Sequence, residues 1–252
     1  MKKFVVFLLL FFVFFGLYNI YFTSDGYEIR YANVTRVIDG DTFIVEGGER
    51  VRPKGFDATE MGEECSNEAE DWLRESIVGE EVKMGVVGDD VYGRTLAHVY
   101  VDGEHIGKSM VEQGLAYTYY FDEDEKYVDE LIERERSAIK GMVGCLWERD
   151  TDDPEDVVHV CDASDHVSEV IIVEGSVEEV SHTEDITFIN FEDEYPDHCF
   201  VGVVWDSYRS RFPENKKEYV NETVRVEGLV TEYQGKPQIE LRDSLQVKVV
   251  ED

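Results

Sequence analysis

The chain reads Val-Ile-Asp-Gly-Asp-Thr over residues 37–42, and this stretch decides how the surrounding segment folds. Two aspartates flank Gly40, and β-forming residues stand on both sides of the triplet. Gly and Asp are typical of turns, whereas Val, Ile and Thr favour strands. The stretch therefore predicts a strand–turn–strand corner that carries two carboxylates. Further β-forming residues extend the predicted strands over residues 33–56.

Strand and helix patterns alternate after this corner. The apolar spacing predicts a helix over residues 66–78 and strands over 81–87 and 96–101. Two more helices are predicted over 106–114 and 123–139. Short strands combined with helices predict an α+β fold built on a small, OB-like β-barrel over residues 28–147.

The composition changes after this first domain. Residues 148–167 are rich in Asp and Glu and contain Pro154, so we interpret them as an acidic linker. β patterns return over residues 168–252, where six strand segments are spaced by glycines. This spacing predicts a mostly-β second domain, a five-stranded OB-fold barrel with one strand split. The predicted segments are 170–180, 186–191, 200–205, 224–233, 238–241 and 245–250.

The net charge of −33 restricts how this chain could meet a polyanion. Bulk repulsion alone would predict that it avoids nucleic acid. In about 1 M salt the Debye length is only about 3 Å, so an acidic surface repels little beyond contact. A halophile host is therefore one hypothesis, and an acidic protein outside the cytoplasm without salt adaptation is the other.

The N-terminus predicts export. Two lysines precede an apolar run over residues 4–22, which is close to the length that spans a bilayer. No small-x-small cleavage site follows, so residues 1–25 are interpreted as a signal anchor, with a cleaved signal peptide as the alternative. Lysines stay inside, which predicts an extracytoplasmic protein that is anchored to the membrane or secreted.

The four cysteines are Cys65, Cys145, Cys161 and Cys199. An even number in an exported chain predicts disulfides, and four cysteines allow three pairings. No two of them have the C-x-x-C spacing of a zinc site.

Acidic and basic residues cluster between Asp39 and Arg94. The corner at 37–42 is followed by Val-Arg-Pro-Lys-Gly-Phe-Asp-Ala-Thr-Glu over residues 51–60 and by Asp-Asp-Val-Tyr-Gly-Arg over residues 89–94. Arginine forks hold phosphate through paired hydrogen bonds, and carboxylates bind hard cations or accept protons. The cluster therefore predicts phosphodiester chemistry.

These three motifs, in this order, closely resemble the staphylococcal nuclease-like (thermonuclease) family over residues 33–147. The resemblance implies a calcium-dependent hydrolase acting on ester bonds, an endonuclease that cleaves DNA or RNA and leaves 3′-phosphates. It implies Ca²⁺ ligation by Asp41, Asp57 and the carbonyl of Ala58. The other implied roles are a general base at Glu60, phosphate binding by Arg52 and Arg94, substrate contacts from Tyr92 and Tyr120, and support from Asp39.

Residues 168–252 resemble OB-fold nucleic-acid-binding domains that follow some nucleases. The resemblance implies binding of single strands, with two sets of candidate residues. Stacking is predicted for Phe188, Phe191, Trp205, Tyr208 and Tyr233, although core packing explains the first three equally well. Phosphate contacts are predicted for Arg209, Arg211, Lys216, Lys217 and Lys236.

Two other functions stay open. The chain could be a non-catalytic nucleic-acid-binding scaffold of the same fold, or a calcium-binding surface protein that needs only Asp41 and Asp57. We infer no obligate protein partner, and the membrane is a partner only if residues 1–25 are retained.

Overall fold

The computed structural model describes residues 27–120, 126–151, 157–213 and 219–250. These residues form two five-stranded β-barrels and three α-helices. The first barrel and its helices comprise β1 (Glu28–Asp39), β2 (Thr42–Val45), β3 (Arg50–Pro53), β4 (Gly55–Asp57), α1 (Ser66–Ile77), β5 (Glu81–Asp89), β6 (Thr95–Val101), β7 (Glu104–His105), α2 (Ile106–Glu112), β8 (Tyr117–Tyr119) and α3 (Val128–Gly141).

The first barrel has the order β1-β2-β3-β6-β5 and closes because β5 pairs with β1. All its contacts are antiparallel except the one between β3 and β6. This arrangement agrees with the predicted OB-like barrel with helices. Helix α1 covers one end and buries Ala69, Leu73 and Ile77, which recur every four residues along one face.

The turn after β1 is tied to helix α1. A Cβ placed on Gly40 would lie 2.6 Å from the Cβ of Ala58 and 2.9 Å from that of Ala69. Glycine is therefore the residue that lets the turn pass between the helix and the segment after β4. This close contact fixes Asp39 and Asp41 relative to Asp57 at one edge of the barrel.

The second barrel repeats the same strand order. Its elements are β9 (Val157–His159), a 3₁₀ helix (Val160–His166), β10 (Val170–His182), β11 (Ile186–Phe191), β12 (Phe200–Trp205), a 3₁₀ helix (Asp206–Arg211), β13 (Thr223–Tyr233), β14 (Lys236–Glu240), a 3₁₀ helix (Ser244–Gln246) and β15 (Val247–Val249). The barrel order is β10-β11-β12-β14-β13, β13 closes on β10, and only β12 and β14 run parallel within it. Strands β14 and β15 pair with successive parts of β13.

The predicted linker over 148–167 needs a correction. Strand β9 pairs in parallel with β10, and the following 3₁₀ helix buries Val160 and Ala163 completely in the second barrel. Alternate apolar residues in a short, acidic segment are a weak signal, because only the contact with β10 makes them a strand. The described structure of the second domain therefore begins at residue 157 rather than 168.

The two barrels share a buried contact. Tyr120 and Val128 pack in the same apolar cluster as the core of the second barrel. Arg211 pairs with Glu135 at 2.8 Å, and the two side chains are 3% and 1% exposed. A second ion pair joins Nε of Arg136, on α3, to the carboxylate of Asp243 in the second barrel at 2.7 Å. The second barrel is thus docked on the helical side of the first.

Two disulfides account for all four cysteines. Cys65 is bonded to Cys145 and Cys161 is bonded to Cys199. The first bond joins the start of α1 to the segment after α3, and the second ties the 3₁₀ helix after β9 to the start of β12. The pairing left open by the sequence is therefore resolved, and each bond lies within one domain.

The predicted N-terminal segment lies outside the described residues. Within the ranges that the structure describes, no helix has the length and apolar character needed to cross a membrane.

Candidate active site

Arg52 brings together the two aspartates that were predicted to bind a cation. Its guanidinium contacts the carboxylates of both Asp41 and Asp57. Asp41 is 7% exposed and also accepts hydrogen bonds from Thr42 Oγ1 at 3.1 Å and from the backbone N–H of Ala58 at 3.2 Å. The two carboxylates therefore lie within the width of one guanidinium, one on the turn between β1 and β2 and the other at the end of β4.

Arg94 reaches the same cluster from the hairpin between β5 and β6. Asp90 accepts hydrogen bonds from the Arg94 backbone N–H at 2.9 Å and from its Nε at 2.6 Å. The Nη1 atom lies 3.3 Å from the hydroxyl of Thr42, which itself bonds to Asp41. Asp90 thus orients the Arg94 guanidinium through Nε, and Nη1 lies on the side of Thr42 and Asp41.

Asp39 stands behind this group. Its carboxylate accepts a hydrogen bond from the backbone N–H of Asp41 at 3.1 Å. Burial raises the pKa of Asp39, while the bond from Thr42 and the charges of Arg52 and Arg94 oppose the increase. The residue therefore supports the turn that carries Asp41.

Glu60 lies at the rim of the cluster. It is exposed, and its backbone N–H donates to Glu63 at 2.7 Å. The pKa of Glu63 is raised, first by burial and further by the charges of Glu60 and Asp57. Glu60, Glu63 and Asp57 therefore form an acidic side of the site, and Glu63 is a member that the sequence analysis did not single out.

The two predicted substrate-contacting tyrosines lie in different environments. Tyr92 is 72% exposed, and its ring lies 5.6 Å from the Arg94 guanidinium carbon. Tyr120 is 2% exposed and donates to the carbonyl of Ser207 at 2.8 Å. Docking of the second barrel covers Tyr120, so its hydroxyl is used in the contact between domains.

Arg242 is a further member, contributed by the second barrel. Its Nη2 lies 3.8 Å from Asp57 Oδ2, and its Nε lies 3.0 Å from Glu240. Tyr119 lines a cavity together with Asp57 and Arg242, and burial and the charge of Asp57 raise its pKa. No motif in the sequence relates Arg242 to Asp57, because the contact depends on how the barrels dock.

The donor atoms at the cluster suit a hard cation. Asp41 and Asp57 offer carboxylate oxygens at one place, and Ca²⁺ completes its shell readily with carbonyl, water and substrate oxygens. Among the described residues no group of three or more His, Cys, Asp or Glu side chains could hold a metal ion. The residues therefore fit an open calcium site with two carboxylates and do not fit a closed all-protein cage.

The predicted binding residues of the second barrel separate into buried and accessible groups. Phe191, Tyr208 and Arg211 are buried, so core and interface packing account for them. Phe188, Tyr233 and Lys236 line a cavity of about 690 Å³ formed by second-barrel residues alone, which we call the outer cavity. Trp205 lies elsewhere, at a cavity beside Asp57. Lys216 and Lys217 lie outside the described residues, and Arg209 pairs with Asp206 at 2.9 Å.

Comparison with known proteins relates the first domain to nucleases. The model of the staphylococcal nuclease homologue family matches residues 49–149. A thermonuclease of Staphylococcus intermedius is 30% identical over 131 residues, which cover 46% of this chain and 75% of the relative. An uncharacterized endonuclease of Haemophilus influenzae is 30% identical over 125 residues, covering 48% and 67%.

A probable staphylococcal-like nuclease of Oryza sativa subsp. japonica is 33% identical over 98 residues. The match covers 39% of this chain and 28% of that longer relative. The part of the chain that the family model matches contains Arg52, Asp57 and Arg94 and begins after Asp41. On the family match and these relatives, the chain belongs to the staphylococcal nuclease-like family.

Proposed function

We propose that this chain is a calcium-dependent nuclease that hydrolyses phosphodiester bonds of DNA or RNA and leaves 3′-phosphates. The observation that supports this most is the convergence of Arg52 and Arg94 on the carboxylates of Asp41 and Asp57 at one edge of the first barrel. The family relatives, which are named nucleases and endonucleases, support the same reaction class.

Each residue has a defined task in this proposal. Asp41, Asp57 and the carbonyl of Ala58 would hold the calcium ion, which when bound would polarise the phosphoryl oxygens. Arg52 contacts both aspartates and would bind a phosphate oxygen of the substrate through its guanidinium. Arg94, oriented by Asp90, binds a second oxygen through its fork.

Glu60 takes the proton from the attacking water. Its exposed position at the acidic rim keeps its carboxylate accessible to solvent. A general base must lie within hydrogen-bond reach of the water it activates, a geometry that often tightens only when substrate binds. Tyr92, stacked near Arg94, would border the strand that enters the site.

Digestion of a plasmid with calcium, and then with chelator, tests the proposal. Wild-type protein should cut only with calcium, and Arg52→Ala or Arg94→Ala should lower the rate about 100-fold or more. Arg94→Lys should lower the cutting rate as well, because a lysine ammonium cannot replace the paired hydrogen bonds of the planar guanidinium. Arg74→Ala, on the exposed face of α1, is the matched control and should cut normally. Wild-type rates in Arg52→Ala or Arg94→Ala would reject the assigned roles.

The same assay separates the alternative functions. A scaffold protein of this fold would bind nucleic acid and leave the plasmid intact in every condition. A calcium-binding surface protein would bind the ion without binding the strand. The 3′-phosphate is checked by end-labelling the products before and after phosphatase treatment.

We propose that the protein works outside the cytoplasm, in a setting of high salt. Two disulfides support an oxidising compartment, since such bonds persist there. The charge of −33 would repel nucleic acid at low ionic strength. Activity that rises between low and molar salt is the expected result, and loss of activity in molar salt would contradict the salt adaptation.

The outer cavity of the second barrel supports a role in strand binding. Tyr195 and Tyr233 are 75% and 64% exposed at this cavity, and Lys236 lies beside them. Exposed aromatic rings beside a cation are the features on which unpaired bases stack. Tyr233→Ala in the full chain should weaken binding of a single-stranded oligonucleotide, and unchanged affinity would reject this surface.

A further inference from the structure

A second cavity lies between the two barrels, next to the predicted calcium ligand Asp57. It has a volume of about 560 Å³. Asp57 and Tyr119 contribute to it from the first barrel, and Trp205, Tyr208, Glu240 and Arg242 contribute from the second. The cavity therefore exists only because the second barrel is docked, and it opens directly beside the cluster that would hold the phosphate.

Arg242 provides an unsatisfied donor in this cavity. The residue is 9% exposed, and its ring contact with Tyr117 places the guanidinium carbon 4.3 Å from the ring centroid. Its Nε and Nη2 face Glu240 and Asp57. In the part of the chain that the structure describes, nothing accepts a hydrogen bond from its Nη1. Buried donors are normally paired, so this atom calls for an acceptor from a ligand.

The walls of the cavity favour a flat, aromatic ligand. The indole of Trp205 is 42% exposed, which is unusual for a Trp side chain in a structure with well-filled cores. Tyr119 lies across from it on the first barrel and is half-buried. Rings that remain open to solvent at a cavity are available for stacking.

The charges of the cavity argue against a phosphate and for a base. Four carboxylates line it, those of Asp57, Asp185, Asp206 and Glu240, against the single cation of Arg242. A phosphate would meet this excess of negative charge. A nucleobase instead offers N–H donors to carboxylates, a carbonyl acceptor to the Arg242 Nη1 atom, and a face for Trp205.

We infer that the cavity between the barrels binds one unstacked base of the strand being cut, and that Trp205 and Arg242 make the second barrel part of the active site. This inference rests on the proposed nuclease function, because Asp57 is shared by the cavity and the cation site. The base belongs to a nucleotide next to the phosphate at Arg52 and Arg94. Only a base outside a duplex stack can enter such a cavity.

Binding of trinucleotides to the full chain in chelator tests the inference without turnover. Each of the three bases is removed in turn to give an abasic position, and affinities are measured by calorimetry. In wild-type protein, one abasic position should weaken binding about tenfold or more, the range expected for one stacked base. In Trp205→Ala the intact trinucleotide should bind as weakly as the abasic one, and the abasic position should have no further effect.

Two other variants complete the design. Trp205→Phe keeps a ring and should restore most of the affinity, and Arg74→Ala, on the exposed face of α1, should leave both the affinity and the abasic effect in place. If the loss of binding free energy caused by Trp205→Ala and the loss caused by the abasic position add in the combined measurement, the inference is overturned.

Arg242→Lys, which keeps the charge, should reduce the preference for a base with a carbonyl group. An unchanged base preference in this variant would count against the role of Nη1. If the wild-type protein cuts no nucleic acid with calcium, the proposed function fails while these affinities still decide the base site.

Discussion

Glu135 carries the buried charge that joins the two barrels, and its replacement by alanine is the most demanding test of the fold. One carboxylate oxygen accepts the backbone N–H of Thr118 at 2.8 Å, and the other accepts Nη1 of Arg211 at 2.8 Å. Arg211 also donates from Nε to the hydroxyl of Tyr120 at 3.1 Å. The carboxylate thus satisfies donors from both barrels.

The expected loss follows from what Glu135→Ala leaves behind. The guanidinium of Arg211 stays buried with no carboxylate, and the N–H of Thr118 loses its acceptor. Breaking a buried ion pair from one side costs about 3–5 kcal/mol, because an uncompensated charge remains. We expect the free energy of unfolding to fall by about 4 kcal/mol.

Urea unfolding followed by tryptophan fluorescence measures this change. The double variant Glu135→Leu with Arg211→Met removes both charges and should lose at least 2 kcal/mol less than the sum of the two single variants. Glu70→Ala breaks an exposed pair with Arg74 and, as the control, should change stability by less than about 1 kcal/mol. A loss below about 1 kcal/mol in Glu135→Ala, or additive single losses, would refute the docked arrangement.

Three further predictions concern pH and redox state. Burial raises the pKa of Glu227 from 4.5 to about 7, so the free energy of unfolding should fall by about 3 kcal/mol as pH rises between these values. Glu227→Gln should remove this pH dependence in urea titrations. A pH dependence that survives in the variant would contradict the prediction. Burial lowers the pKa of His98 from 6.5 to about 4 and that of His105 from 6.5 to about 3. As pH falls, these histidines therefore take up protons in the unfolded chain before they do so in the folded protein. The free energy of unfolding should fall below pH 6.5, by up to about 1.4 kcal/mol per pH unit for each histidine. His98→Phe should reduce this acid sensitivity, measured by the same titrations, and an unchanged acid slope would count against its burial. Replacing Cys65 and Cys145 with serine should lower stability by roughly 2–4 kcal/mol, seen as a lower denaturation midpoint, whereas an unshifted midpoint would exclude a stabilising bond.

Local patterns predicted most of the first barrel. The Asp-Gly-Asp turn, the helix that begins near residue 66 and the hairpin at 102–103 all depend on neighbours a few residues away. Their side-chain periodicity and turn chemistry are therefore readable along the chain. The strands at 186–191 and 200–205 were predicted to the residue for the same reason.

Residues whose environment depends on distant parts of the chain were predicted less well. Tyr120, Tyr208 and Arg211 have the side chains of a nucleic-acid-binding surface, yet they are buried where the barrels meet. A tyrosine or an arginine serves equally in a binding face or in a satisfied interface. The residue type alone does not distinguish the two, because burial depends on what packs against it.

The sequence by itself predicted Asp41, Arg52, Asp57 and Arg94 as site residues, because each of them lies in a short motif that can be recognised along the chain. Only the tertiary structure decided that Arg242 joins them and that the second barrel borders the site. The physical reason is that docking places a buried guanidinium beside Asp57 through contacts made far along the chain. The spacing and periodicity of residues along the chain do not predict a contact between Arg242 and Asp57.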